Sequence, residues 1–243
     1  VLQVHEPAMR LVESLAVVRS GQAIVAQLGV KPPAFDLECP LMSLPAVFGT
    51  TPDTVPWVGA YLAAEPALIA ENRALFPTSG LRVGIAWAGN PRYRADFRRS
   101  MRLPTLGQLL RTPGITWISL QKGDAVLQLA ELPPDVCVHD GSSRDRDLAE
   151  TAALVATLDL VITTDTSIAH LAGAMGKPVW ILLAHLADWR WMQCIEMTPW
   201  YPTARLFRQQ KSGDWIGVFE RVSEQLHLLK HRRVPPALDA PAA

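Results

Sequence analysis

The sequence predicts an α/β protein built on parallel sheets, arranged as two lobes with a cleft between them. Apolar, buried-looking runs such as LRVGIA, ITWIS and DLVITT alternate with helix-patterned stretches such as LAETAALVATL and SIAHLAGAMG. That alternation is the order of a parallel sheet covered on both faces. The stretch before residue 80 has the same character but is less complete, and PTSG at 77–80 separates it from the rest. The expected division is 1–79 as a partial N-terminal lobe, 80–230 as a second lobe and 231–243 as a loose tail.

Residues 1–4 read as a strand. From Pro7 onward PAMRLVESL reads as a helix, because proline costs little in a first turn whose N–H groups are unpaired anyway. AIVAQLG reads as a second strand, and FDLECPLMSLPAVFG as a strand edge and a helical turn broken by Pro40 and Pro45. Residues 50–57 are turn-rich, and ENRALF ends a helix. In the second lobe, LRVGIAWAGN is a strand, 91–102 an arginine-rich loop, and TLGQLLRTPG a helix stopped by Pro113 and Gly114. ITWISLQKG then reads as a strand, AVLQLAEL as a short helix, VCVHDG as a strand and its turn, and LAETAALVATL as a helix. DLVITT, SIAHLAGAMG and PVWILL give strand, helix, strand, and DWIGVFERVSEQLHLLKHRR an amphipathic helix. No internal repeat is evident.

With 243 residues, 49% of them apolar, the chain has enough material for packed cores. Its 23 basic and 23 acidic side chains cancel, so the overall balance favours neither nucleic acid nor a membrane surface. Cys39, Cys137 and Cys194 have no zinc-ligand spacing, suit a reducing compartment, and read as small buried hydrophobes. No run reaches membrane-spanning length, and no signal-peptide pattern is present. The opening VLQVHEP already reads as a strand and turn, so the chain is expected to be a fragment or to have an unobserved start.

Ligands of such sheets collect where strands end and helices begin. DLVITT delivers the chain to that edge at Asp165 and Thr166, either of which can cap the helix that follows. The remaining first-turn N–H groups, around Ser167 to Ala169, then form an anion site backed by the helix dipole. Ser167 adds a hydroxyl, and His170 lies one turn on. Ala169, Ala172, Gly173, Ala174 and Gly176 let this helix approach the sheet, and Gly176 suits the position after its end. A plain cap and a packed histidine remain the competing reading.

A second strand end leads into GNPRYRADFRRSMR. Arg92, Arg94, Arg98, Arg99 and Arg102 face only Asp96 there, and guanidinium forks match phosphate oxygens. Gly89 permits close backbone approach, and Asn90 offers an amide donor. Lys122 follows a third strand. Three such strand ends favour a phosphorylated ligand. No G-x-G-x-x-G, Walker lysine motif or nucleophile elbow is present, nor a clustered carboxylate set for magnesium. Trp189, Trp191, Trp200, Tyr201 and Trp215 crowd one segment with Arg190, Arg205 and Arg208, which reads as a loop pinned by large rings or as a platform for a base or sugar.

The segments VGIAWAGNP, RSMRL, WISLQKG, ETAALVATLDLVITTDTSIAHLAGAMGKPVWILL, DWRWM and PWYPTARLFRQ carry a family likeness. The chain resembles the glycosyltransferase region found behind tetratricopeptide repeats in bacterial proteins. That region is similar to the lipopolysaccharide heptosyltransferases of glycosyltransferase family 9, and more distantly to O-linked N-acetylglucosamine transferase. The resemblance implies a GT-B fold of two Rossmann-like lobes, the first truncated here and the second holding a nucleotide-sugar. It implies diphosphate contacts from Asp165, Thr166, Ser167 and His170, with Asn90, Arg98, Lys122, Glu150 and Thr151 bordering the donor. Arg94, Asp96, Asp188 and Trp189 become acceptor or sugar contacts. It further implies transfer without metal or cofactor, the nucleotide-sugar being a substrate, in a bacterial cytoplasmic protein with no nucleic-acid partner. The acceptor is open among lipid, glycan and protein, and repeats upstream would favour protein.

Two departures stand out. The catalytic base belongs near the start of the first lobe, where this chain opens on its apparent second strand, so the base is assigned to no residue. His5, after the first strand, is a weak candidate. Tyr93 and Ala95-Asp96 stand where relatives often have His and Asn-Asp. A non-catalytic nucleotide-sugar or phosphate-binding module and a nucleotide-sugar epimerase are the alternatives.

Overall fold

The computed structural model describes residues 1–142 and 145–233, so the expected tail at 234–243 lies outside the described residues. Strands β1 (Leu2–Val4) and β2 (Val25–Gln27) form a two-stranded parallel sheet, with the short helices α1 (Met9–Val12) and α2 (Ala16–Arg19) between them. After α3 (Leu44–Val47) comes the first longer helix, α4 (Pro66–Leu75), opened by its proline. The helix expected over PAMRLVESL is a 3-10 turn and a single α turn, and no strand forms in 35–49. Two prolines within that stretch remove ladder donors.

The second sheet has seven strands. Its first members are β3 (Leu81–Ala86), β4 (Ile115–Ser119) and β5 (Val138–Asp140), and α5 (Asp96–Arg99) and α6 (Gly107–Leu110) lie on the β3–β4 crossover. Then come α7 (Leu148–Ala156), β6 (Leu160–Thr164), α8 (Ser167–Ala174), β7 (Val179–Leu183), β8 (Met197–Thr198), β9 (Tyr201–Arg208) and α9 (Trp215–Arg233). The strand order is β5-β4-β3-β6-β7-β9-β8, parallel throughout except for the antiparallel β8. The order reverses between β3 and β6. Chain leaving β3 crosses towards β4 on one side, and chain leaving β6 crosses towards β7 on the other, so their carboxyl ends splay and open a crevice.

Both faces of this sheet are covered. On one, Leu154, Val155, Ile168, Ala169, Ala172 and Leu11 pack together; on the other, Leu103, Leu106, Leu109, Val218, Val222 and Leu226 do. Helix α8 ends as its small residues predict. Gly176 takes φ +66°, its N–H donates to Gly173 O (2.9 Å), and Lys177 N–H donates to Ala172 O (2.9 Å), a Schellman arrangement.

Two further sequence expectations fail here. Tyr201–Arg208, read as loop, is an eight-residue strand; Pro202 and the arginines masked its pattern, and it lies outside the alternation that revealed the other strands. Cys39, Cys137 and Cys194, read as buried hydrophobes, are all exposed free thiols. They stand in short connecting segments that bury little. Among the described residues no helix is long and apolar enough to cross a membrane.

Candidate functional site

A cleft of about 1360 Å³ opens at the crevice between the ends of β3 and β6. Asn90, Arg98, Lys122, Asp165, Thr166, Ser167, His170 and Asp188 line it, together with His5, Arg99 and Arg190. Eight of the predicted residues therefore meet in one space. Arg94, Asp96, Thr151 and Trp189 do not line it.

The floor is the start of α8. Thr166 occupies the N-cap position with extended backbone (φ −138°, ψ 176°), but no side chain caps the helix. The expected cap from Asp165 or Thr166 is therefore absent. The Thr166 hydroxyl lies 3.2 Å from that of Thr163, and Thr166 O accepts from Ala169 N–H (3.0 Å). The N–H groups of Ser167 and Ile168 have no carbonyl one turn back inside the helix and stand at its positive end.

The arginine loop is locked onto this floor from the other side of the crevice. Arg99 donates through Nη1 to Asp165 O (2.7 Å) and through Nε to Asp96 Oδ1 (2.9 Å), and its guanidinium sits 4.9 Å from the Tyr93 ring centre. Asp96 also accepts from the Ser100 hydroxyl (2.6 Å), which accepts from Gly89 N–H (2.8 Å). Thr164 Oγ1 donates to Arg99 O. Asp96, expected as a ligand contact, is thus buried and committed to holding Arg99 and Ser100. A Cβ at Gly89 would lie 2.8 Å from Arg99 Nε and would push the Arg99–Asp96 pair aside. Asn90 Oδ1 accepts from Arg92 N–H (3.0 Å), which leaves its amide NH2 as a donor. Arg98 stays exposed beside Phe97, 5.6 Å from that ring centre.

Lys122 is anchored differently. Its Nζ is 2.9 Å from Asp145 Oδ2, which also accepts from the Thr151 hydroxyl (2.9 Å). Fully buried Thr151 therefore acts behind the cleft wall, and Lys122 brings its charge with a counter-ion already attached. Glu150 pairs with Arg146 and Arg10. Gln121, which sequence reasoning passed over beside Lys122, ties two strand ends. Its Oε1 accepts from Trp87 and Ala88 N–H (both 2.9 Å), and its Nε2 donates to Ala88 O (3.0 Å) and Lys122 O (2.9 Å). The available signal was a polar residue directly past the strand in SLQKG.

On the far wall, His170 stacks on Trp191 with ring centres 5.3 Å apart, and burial lowers its pKa, favouring neutral imidazole. Its Nδ1 is 3.0 Å from the Tyr201 hydroxyl. The aromatic segment divides by ring. Trp191 is fully buried, Trp200 partly buried, and Trp189 exposed at the rim with Arg190 5.7 Å over it. Asp188 Oδ1 accepts from Arg190 N–H (3.0 Å), fixing the turn that presents both to the cleft. Among the described residues no group of three or more His, Cys, Asp or Glu is placed to hold a metal ion.

Residues 145–215 match the sequence model of glycosyltransferase family 9 (heptosyltransferase). The chain is 30% identical over 182 residues to Protein FlbA of Caulobacter vibrioides, an alignment covering 72% of this chain and 30% of that protein. It thus spans less than a third of the length of that curated relative. The structure of E. coli ADP-heptose lps heptosyltransferase II is similar with TM-score 0.54 at 16% identity, over 74% of this chain and 56% of that one. The glycosyl transferase family 9 structure from Veillonella parvula DSM 2008 is similar with TM-score 0.51 at 14% identity, over 77% and 57%. The chain therefore has an α/β fold resembling that of the GT-B glycosyltransferases, and its sequence is similar to that of family 9.

Proposed function

We propose that this chain is the nucleotide-sugar-binding part of a glycosyltransferase, with residues 1–79 on the acceptor side and 80–230 on the donor side. The observation that carries the reading is the uncapped start of α8 at the strand-order reversal, with Asn90, Arg98 and Lys122 around it. Free N–H groups at a helix end bind phosphate oxygens without rearrangement. A departing diphosphate develops charge in that position, so donors already in place lower the barrier to its departure. In the reaction an acceptor hydroxyl oxygen bonds to the anomeric carbon as the bond to the diphosphate oxygen breaks, and a base takes the hydroxyl proton. Asp165, Thr166, Ser167 and His170 serve the diphosphate. Asp188 and Arg190 stand towards the sugar.

A second reading has one observation in its favour. Of the residues lining the cleft, His5 alone comes from the first 79, which suits a nucleotide-sugar-binding module without turnover.

Calorimetric titration with ADP-, GDP-, UDP- and CDP-sugars tests the site. Saturable binding to one nucleotide class is expected, with heat lost in Ser167→Pro, which removes a first-turn N–H, and weakened in Asp165→Ala. No binding to any of them would reject the donor site. Binding without transfer to any offered acceptor would favour the module, and conversion of the free nucleotide-sugar to an epimer would favour an epimerase.

A further inference from the structure

Tyr201 opens β9 with its ring against α8. Gly173 leaves room for that ring, since a Cβ there would lie 2.6 Å from Tyr201 Cδ1. Trp57 meets the same ring edge-on at 6.2 Å, and Trp191, itself 6.5 Å from the Tyr201 ring, stacks on His170 at an interplanar angle of 17°. His170 also meets the Tyr201 ring at 5.8 Å and 62°. These contacts leave the imidazole one plane and one orientation, with Nδ1 towards the tyrosine hydroxyl.

The proton on His170 follows from that hydrogen bond. The charged groups facing the ring are Asp165, Asp188 and Arg190, and the Tyr61 phenol lies beyond Tyr201. Burial keeps Tyr201 protonated, raising its pKa, and keeps His170 neutral. A buried phenol has one hydrogen to donate, and an unprotonated imidazole nitrogen is a far better acceptor than another phenol oxygen. The second ring nitrogen must then carry the proton.

We propose that Tyr201 is a positioning residue that fixes His170 in the tautomer protonated on Nε2, so that the imidazole offers the cleft a neutral N–H donor and not a base. The partner is an oxygen acceptor of the ligand bound over the first turn of α8, which rests on the reading of the cleft as a nucleotide-sugar site. His170 then adds a donor beside the helix end without adding charge.

Long-range proton–nitrogen correlation spectra of the 15N-histidine-labelled full chain at neutral pH test this. The expected His170 pattern is protonated Nε2 with bare Nδ1 in the wild type, and a mixture with the Nδ1-protonated form in Tyr201→Phe. A wild-type spectrum showing protonated Nδ1 overturns the proposal even if the variant does not fold. So does a Tyr201→Phe spectrum identical to wild type. Titration with the nucleotide-sugar that binds should show affinity weakened about 5-fold in Tyr201→Phe, the size of one ordinary hydrogen bond. An Nε2-protonated wild type that binds no nucleotide-sugar supports the tautomer assignment and rejects the donor-site reading alone.

Discussion

Arg99 reaches across the crevice to Asp165 O while Asp96 and Tyr93 of its own loop hold it from behind. Arg99→Met keeps the stem and removes the fork, leaving Asp165 O and Asp96 without their charged donor. A stability loss of about 1.5–3 kcal/mol is expected, the usual size for a hydrogen bond to a charged group, and urea denaturation checks it. Nucleotide-sugar affinity should fall with it, because the floor of the cleft loses its tie. Glu150 gives a pH-dependent counterpart. Hydrogen bonds from Arg146, with its charge and that of Arg10, lower the Glu150 pKa from the ordinary 4.5. A carboxylate depressed in the folded state stabilises it above the unfolded pKa and stops doing so as pH falls through the folded one. The Tm difference between wild type and Glu150→Gln should thus be constant above about pH 5 and shrink below pH 4.5. At this scale the sequence displayed residue types but not their commitments. Asp96 and Lys122 look equally free in a string of letters. Only the fold shows one buried under Arg99 and the other already paired with Asp145.

Helix α8 and strand β9 meet through Gly173 and Tyr201, and this contact sets how far the helix end stands from the sheet. Gly173→Ala drives a methyl into the Tyr201 ring. Overpacking of this kind costs about 1–3 kcal/mol, and it should outweigh the gain in helix propensity of roughly 1 kcal/mol that alanine brings. A lowered Tm and altered His170 nitrogen shifts are expected; a stabilised variant would show that the ring moves aside freely. The 184–200 connection is held in the same region. Arg208 donates to Trp191 O and Met192 O, and Met192 and Cys194 take positive φ of 48° and 58°. Such conformations persist only where surrounding contacts impose them. The strand–helix units at 81–86, 148–156, 160–164 and 167–174 were legible because apolar runs and small-residue helices declare themselves locally. Strand β9 was not, because its burial comes from β7 and α8 and not from a pattern of its own.

Over the whole molecule burial is uneven. Among residues 1–79 Leu11 alone is buried, whereas the strands β3, β6 and β7 are buried almost throughout. Arg10, paired with Asp147 at 3.1 Å, and Tyr61 N–H, donating to Ala174 O at 2.9 Å, tie the first part to the second. Native-state hydrogen exchange should therefore show 1–79 opening first, with β3, β6 and β7 exchanging only on global unfolding. Uniform protection across both parts would refute the proposed division at residue 80. The crevice at the strand-order reversal between β3 and β6 was predictable from parallel-sheet rules. Its depth was not, because it depends on how little of the first part reaches it.

The large sheet also carries its own defence against unwanted polymerisation. Its borders are β5, three residues long, and β8, two residues long and running against its neighbour. Strands that short give another chain almost no ladder to extend. The long apolar strands are all interior and cannot act as templates until the sheet itself opens. Strands β1 and β2, each pairing on one side among the described residues, are also three residues long and offer no more ladder than β5. Fibrillar contacts should therefore appear only as the large sheet itself opens, so that the onset of fibril signal tracks global unfolding as denaturant is raised.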